Sequence, residues 1–257
     1  MRGTSLPPGR SVILRAFLGA TLSVVAPAGA ATYYVRATVG MDAHDGLGAA
    51  TAWEHLSMLS EAMHAGDTAY VGPGLYRDEV TVQHDGTVDA RLTFIADPSG
   101  QRTGDPPGPV MVTGAEPIDE TIFQRGDAPG VYVAALPGYR VWGVVEMDGP
   151  QRRFARADNT KEFLVDKVPE VAVVARLRAT FAYDEGSGEL TLHTSDDRPP
   201  SAHEIEFLRR GAGFLLVGRH YVTVTGFTFR HMQDAGISFF KGSGDGIASD
   251  NVSYGSR

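Results

Sequence analysis

The brevity of the β-prone runs constrains this chain more than any other feature. Ala69-Tyr70-Val71, Glu79-Val80-Thr81-Val82, Leu92-Thr93-Phe94-Ile95 and Val110-Met111-Val112 are each three or four residues long, and the breaks between them carry Gly, Pro or Asp. A sandwich would prefer longer strands joined by hairpin turns. Short strands without hairpin signals suit an arrangement in which each strand stacks on its equivalent one coil away. The C-terminal section repeats the pattern. Val222 and Val224, then Phe227 and Phe229, alternate with polar residues, and Gly226 shifts the phase between them. Gly236-Ile237 and Gly246-Ile247 each open a further run, about ten residues apart. Three short strands per turn, one turn per roughly two dozen residues, is the coil of a β-helix.

Before the first coil, Thr51-Ala52-Trp53-Glu54 fits a capping box, and Trp53, Leu56, Leu59 and Met63 follow at helical spacing. The spacing predicts one amphipathic helix of about three turns (~11 residues), ended by Gly66. Between residues 118 and 208 the pattern changes. Phe181-Ala182-Tyr183-Asp184 and Glu189-Leu190-Thr191-Leu192-His193 flank a Gly-rich turn and read as a hairpin, within a β-rich insertion that leaves the coils and returns to them.

The amino terminus bears on the compartment. Arg2, Arg10 and Arg15 precede and enter an apolar stretch over residues 16–26 that is too short to span a bilayer, and Ala28-Gly29-Ala30 is a small-x-small cleavage pattern. Residues 1–30 are therefore expected to be a signal peptide, and the mature chain to be secreted or periplasmic and free of the membrane. Of 23 basic side chains that leader removes three, leaving 20 against 31 acidic ones, a net charge of −11. Such a surface repels nucleic acid, and it repels acidic polysaccharide unless a bound cation or a local basic cluster reverses the field. The absence of Cys excludes disulfides and thiolate chemistry.

The residues resemble a known class. Tyr33-Tyr34-Val35, Gly40-x-Asp42-x-x-Asp45-Gly46, Ala50-Thr51-Ala52-Trp53, Gly66-Asp67-Thr68-x-Tyr70-Val71 and Pro73-Gly74-x-Tyr76 are similar, in order and spacing, to the amino-terminal cap and first coil of bacterial pectate-lyase-like β-helix proteins. The resemblance implies an all-β fold, a right-handed parallel β-helix with an N-terminal capping helix and a β-rich insertion. The expected organisation is a cap with the first coils over 31–117, the insertion over 118–208, and further coils over 209–257 that break off as an incomplete solenoid. It also implies a polysaccharide partner, with lyase or glycoside-hydrolase action as one outcome and a non-catalytic glycan-binding or adhesive module as the alternative, since this fold hosts several activities.

Candidate chemistry gathers in residues 231–251. β-Elimination needs a base for the proton beside a uronate carboxyl and a cation to neutralise that carboxyl. Lys241, with His231, Asp234 and Asp245 nearby in sequence, supplies candidate catalytic groups, and Asp245 with Asp250 a candidate Ca2+ pair. Lys241 sits in a Gly-rich corner, where a solvated charge is the plainer reading. Hydrolysis would instead need carboxylates facing each other across a glycosidic bond, from Asp234, Asp245 and Asp250. Trp142 is the candidate stacking platform, whereas Trp53 belongs to the apolar stripe. Asp42, Asp45 and Asp67 read as turn-fixing residues. The eight histidines show no tight metal-ligand spacing, which argues against a zinc site.

Overall fold

The computed structural model describes residues 29–255, so the expected leader falls outside it but for its last two residues. The protein is mostly β. Three of its sheets are wholly parallel. The first runs in the order Thr32–Val35, Thr68–Val71, Leu92–Ala96, Val222–Thr225, Ile247–Ser249. The second stacks Gly74–Tyr76, Val110–Thr113, Thr228–Arg230 and Val252–Tyr254, and the third stacks Val80–Val82, Ala212–Val217 and Ala235–Phe240. From Thr68–Val71 onward the chain visits first, second and third sheet in that order on each circuit. Equivalent residues are separated by 24 positions from Val224 to Ala248 and by 25 from Ala69 to Phe94, which matches the two-dozen-residue period read from the sequence.

Register follows from burial. Along Leu92–Ala96 and Val222–Thr225 alternate side chains are buried, so a slip of one residue would turn the apolar set outward. Inside the three sheets, Phe214 lies with its ring centroid 5.1 Å from Phe94 and 5.2 Å from Phe227, and edge-on to Phe229 at 6.1 Å. All four rings are buried, each contributing about 2–3 kcal/mol of transfer free energy. Gly226, at φ +84°, makes the corner between the first and second sheets, a conformation that side chains with a Cβ rarely adopt.

The lid differs from the expected three-turn helix. Leu56–Met58 is a 3-10 turn that passes into a single α-turn, Leu59–Ala62, so the helix begins after the predicted cap. The capping box does not form because Asp42 takes its place: Asp42 Oδ1 accepts the N–H groups of Glu54 and His55, and Asp78 Oδ2 accepts that of Leu56. Thr51 instead donates its hydroxyl to Asp45 Oδ1 at 2.7 Å. The apolar stripe holds nonetheless, with Trp53, Leu56, Leu59 and Met63 all buried against the stacked strands. Asp45 and Asp67 also bond backbone N–H groups, of Leu47 and of Ala31 and His64. These carboxylates do turn-fixing work.

Between the strands Val110–Thr113 and Ala212–Val217 the chain leaves the parallel stack. Ala115–Pro117, Ile205–Leu208, Gly143–Glu146 and Arg152–Arg153 form one antiparallel sheet. Thr180–Asp184 and Glu189–His193 are the expected hairpin, and Val131–Ala135 and Gln124–Arg125 extend it on one side. Two short helices, Lys161–Leu164 and Glu170–Val174, pack on that second sheet. No described helix is long and apolar enough to cross a membrane.

Candidate functional site

A cleft of about 670 Å3 opens where the insertion meets the parallel stack. The insertion contributes Trp142, Arg153, Arg156, Asp158 and Phe181, and the stack contributes Gln233 from the corner before Ala235–Phe240. Arg153 and Arg156 reach it because Arg152–Arg153 and Ala155–Arg156 are short edge strands of the two insertion sheets. The Arg153 guanidinium donates to Gln233 Oε1 at 3.2 Å and so ties the insertion to the coil corner.

Two groups in the cleft have unmet hydrogen-bonding capacity. Arg156 Nε lies 3.2 Å from Asp158 Oδ2, close enough for an ion pair but not aligned as a hydrogen bond. Asp158 Oδ1 is buried with no partner in the protein. A buried donor and a buried acceptor side by side, each unsatisfied, suit a ligand bearing hydroxyl groups. Glu170, which lines a neighbouring pocket with Arg156, has its carboxyl pushed above the usual range by burial and then by the Asp158 charge.

Trp142 is half-buried. Its backbone N–H is fixed by Leu208, and the Arg140 guanidinium lies 5.0 Å from its ring centroid. A Cβ at Gly211 would meet Asp234 Oδ2 at 3.3 Å and Trp142 Cζ3 at 3.5 Å, so carboxylate and indole flank the same glycine. The fold thus brings together Trp142 and Asp234, which are distant in sequence. Asp234 is exposed.

The other sequence candidates lie elsewhere. Lys241, Asp245 and Asp250 are exposed corner residues with φ of 48°, 53° and 56°. Asp is among the few non-glycine residues that tolerate this left-handed region, and that accounts for its place at two of the corners. Asp245 Oδ2 is 3.4 Å from His220 Nδ1, and Asp250 Oδ2 accepts from Thr225 at 3.5 Å, so the two acids face different partners. Asn251 bridges adjacent coils, accepting from Phe227 N and donating to Val224 O.

His231 is buried, with Nε2 3.0 Å from Gln151 Oε1. Burial first, then the Arg230 and Arg153 charges, hold its pKa below the ordinary value. The unfolded chain, with an imidazole near ~6.5, takes up a proton that the native ring refuses, so stability falls as the pH drops below that value. The melting temperature of the wild type should decline more between about pH 7 and about pH 5 than that of His231→Gln. Parallel curves would show that this ring does not couple to folding.

No protein-family model and no curated protein matches the sequence. Among solved structures, XylC in complex with xylose is similar, with a TM-score of 0.57 at 21% identity over 78% of this chain and 35% of its own. A structure described as a glycoside hydrolase gives a TM-score of 0.50 at 12% identity over 79% of this chain and 51% of its own. This chain therefore spans about a third and about half of the lengths of these two. At such identities the likeness is one of fold.

Sequence reasoning passed over Arg153, Arg156, Asp158 and Gln233. A signal was present in Gln151-Arg152-Arg153-Phe154-Ala155-Arg156-Ala157-Asp158, which places three arginines in a chain that is otherwise strongly acidic.

Proposed function

We propose that this protein is a right-handed parallel β-helix carrying a β-rich insertion, and that the cleft between them holds a glycan. Support for the coil comes from three parallel sheets visited in fixed rotation at a 24–25-residue period. Support for the ligand comes from the cleft itself, and one observation carries it. An aromatic face, Trp142, lines the same cleft as Arg156 and Asp158, whose Nε and Oδ1 have unmet polar capacity, the combination that packs a sugar ring on its apolar face and bonds its hydroxyls. The two similar structures point the same way, one holding xylose and the other described as a glycoside hydrolase.

Hydrolysis is favoured over β-elimination. Lys241 and the two corner acids, which elimination would use, stand on exposed coil corners, whereas Asp234 stands beside the stacking ring. Asp158, which lines the cleft, and Asp234, which lies across Gly211 from the stacking ring and lines the neighbouring groove, are assigned as the two carboxylates that hydrolysis needs, and the arginines leave the cleft locally basic within an acidic protein. A polysaccharide ligand also fits the export that the sequence of residues 1–30 leads one to expect.

Titration calorimetry with xylo-oligosaccharides and with acidic oligosaccharides should detect binding, and Trp142→Ala should weaken it by about tenfold or more through loss of the stacking face. Asp234→Asn should keep binding but lose any release of reducing ends. A Trp142→Ala protein that binds as the wild type does would move the site away from the cleft. Unsaturated-uronate absorbance in place of plain reducing sugar would replace hydrolysis with elimination.

A further inference from the structure

A second cluster lies within the insertion, and none of its three residues lines the cleft. We propose that Glu146, Asp148 and His203 bind a single first-row divalent cation such as Zn2+. Glu146 ends the strand Gly143–Glu146, and pairing with Ile205–Leu208 sets it opposite the segment that carries His203. The Met147 N–H bonds Glu204 O at 2.7 Å and extends that pairing past the strands, which brings Asp148 to the same place. One ligand atom from each of the three residues lies within 4.8 Å of the others.

The hydrogen bonds call for a positive charge at this point. His203 Nε2 is 3.1 Å from Asp196 Oδ1, and a carboxylate only accepts, so this nitrogen carries the proton. His203 Nδ1 then faces two more carboxylate oxygens, Asp148 Oδ2 at 3.0 Å and Glu146 Oε2 at 3.7 Å. A second proton on Nδ1 would serve Asp148 and leave Glu146 unserved. The Glu146 side chain is only 8% exposed, and its Oε2 is buried without a hydrogen-bond partner. A cation between the three satisfies all of them at once.

The surroundings fit a metal as well. Asp196 is itself gripped by Arg198 Nε at 2.6 Å, and Glu146 Oε1 accepts from Ser195 at 2.6 Å, so both the imidazole and the buried carboxylate are held in orientation by outer partners. One imidazole with two carboxylates suits zinc or manganese better than calcium or magnesium, which prefer all-oxygen shells. The Asp148 side chain is 39% exposed, which leaves room for water as a fourth ligand. Bound here, the ion would clamp the mid-insertion strand Gly143–Glu146 to the segment that leads into Ile205–Leu208, by which the chain leaves the insertion.

The test is calorimetric titration of the untagged, chelator-treated full chain with ZnCl2, independent of any glycan. The expected result is saturable binding at about one equivalent, with Ca2+ and Mg2+ at least about tenfold weaker. Asp148→Asn changes an exposed group and should keep the native circular dichroism while weakening Zn2+ about tenfold or more. Glu146→Gln should weaken it similarly. Absence of saturable binding in the wild type would overturn the site. Equal Zn2+ affinity in wild type, Asp148→Asn and Glu146→Gln would place any bound ion elsewhere, and Ca2+ binding as tight as Zn2+ would overturn the choice of metal.

Discussion

Replacing Trp53 with alanine is expected to lower the stability of the protein by about 3–5 kcal/mol. The indole is 6% exposed and belongs to the core beneath the lid. It stacks on Tyr33 with centroids 5.2 Å apart and planes within 15°. Its Nε1 donates to His44 O at 2.8 Å, and Gly46 approaches the ring so closely that a Cβ there would lie 2.6 Å from Cε2. Alanine would lose the transfer free energy of a large ring, leave a cavity and orphan a carbonyl oxygen. For a chain of this size the melting temperature should fall by roughly 10 °C. Thermal and urea unfolding of wild type and variant will measure it. A loss below about 1 kcal/mol would mean that the lid collapses onto the stacked strands without the ring.

The stack was legible in the sequence because its signal is local. Each run such as Val222-Thr223-Val224-Thr225 alternates on its own, and the recurrence of such runs points to the coil without knowledge of distant contacts. The lid was legible as an apolar stripe but not as a helix of definite length. Thr51 and Glu54 fit a capping box locally, while the bonds that decide the helix start come from Asp42 and Asp78, which are remote in the chain. The same division governs the sites. Trp142 and Asp234 were each legible as candidates, but only the fold sets them on either side of Gly211. Arg153, Arg156 and Asp158 gain their meaning from the edge strands that carry them to Gln233. Histidine spacing reports only neighbours along the chain. His203 meets Glu146 and Asp148 through the pairing of two strands more than fifty residues apart in sequence, which no short motif records.

A buried ion pair joins stack and insertion, and breaking it should have the second large effect. Glu206, on the strand Ile205–Leu208, has a side chain 1% exposed, with Oε1 2.7 Å from Arg77 Nη2. Arg77 follows the strand Gly74–Tyr76 of the parallel stack and also donates to Ala115 O. Glu206 Oε2 is buried without a hydrogen-bond partner, so the Arg77 guanidinium is the main compensation this carboxylate receives. Arg77→Ala should therefore cost about 3–5 kcal/mol, because it leaves a charge in a low-dielectric site. The pair itself is another matter, since taking both groups out of water is expensive and apolar replacements of similar volume often recover that expense. The double variant Arg77→Met, Glu206→Leu should therefore unfold within about 1 kcal/mol of wild type or above it, despite having lost the same contact. Denaturant unfolding of the two single variants and the double variant gives the coupling directly. A single Arg77→Ala loss below about 1 kcal/mol would show that Glu206 finds water or another cation once the guanidinium is gone. A double variant as unstable as the single one would instead make the pair a net source of stability, joining the insertion to the stack through charge rather than through packing.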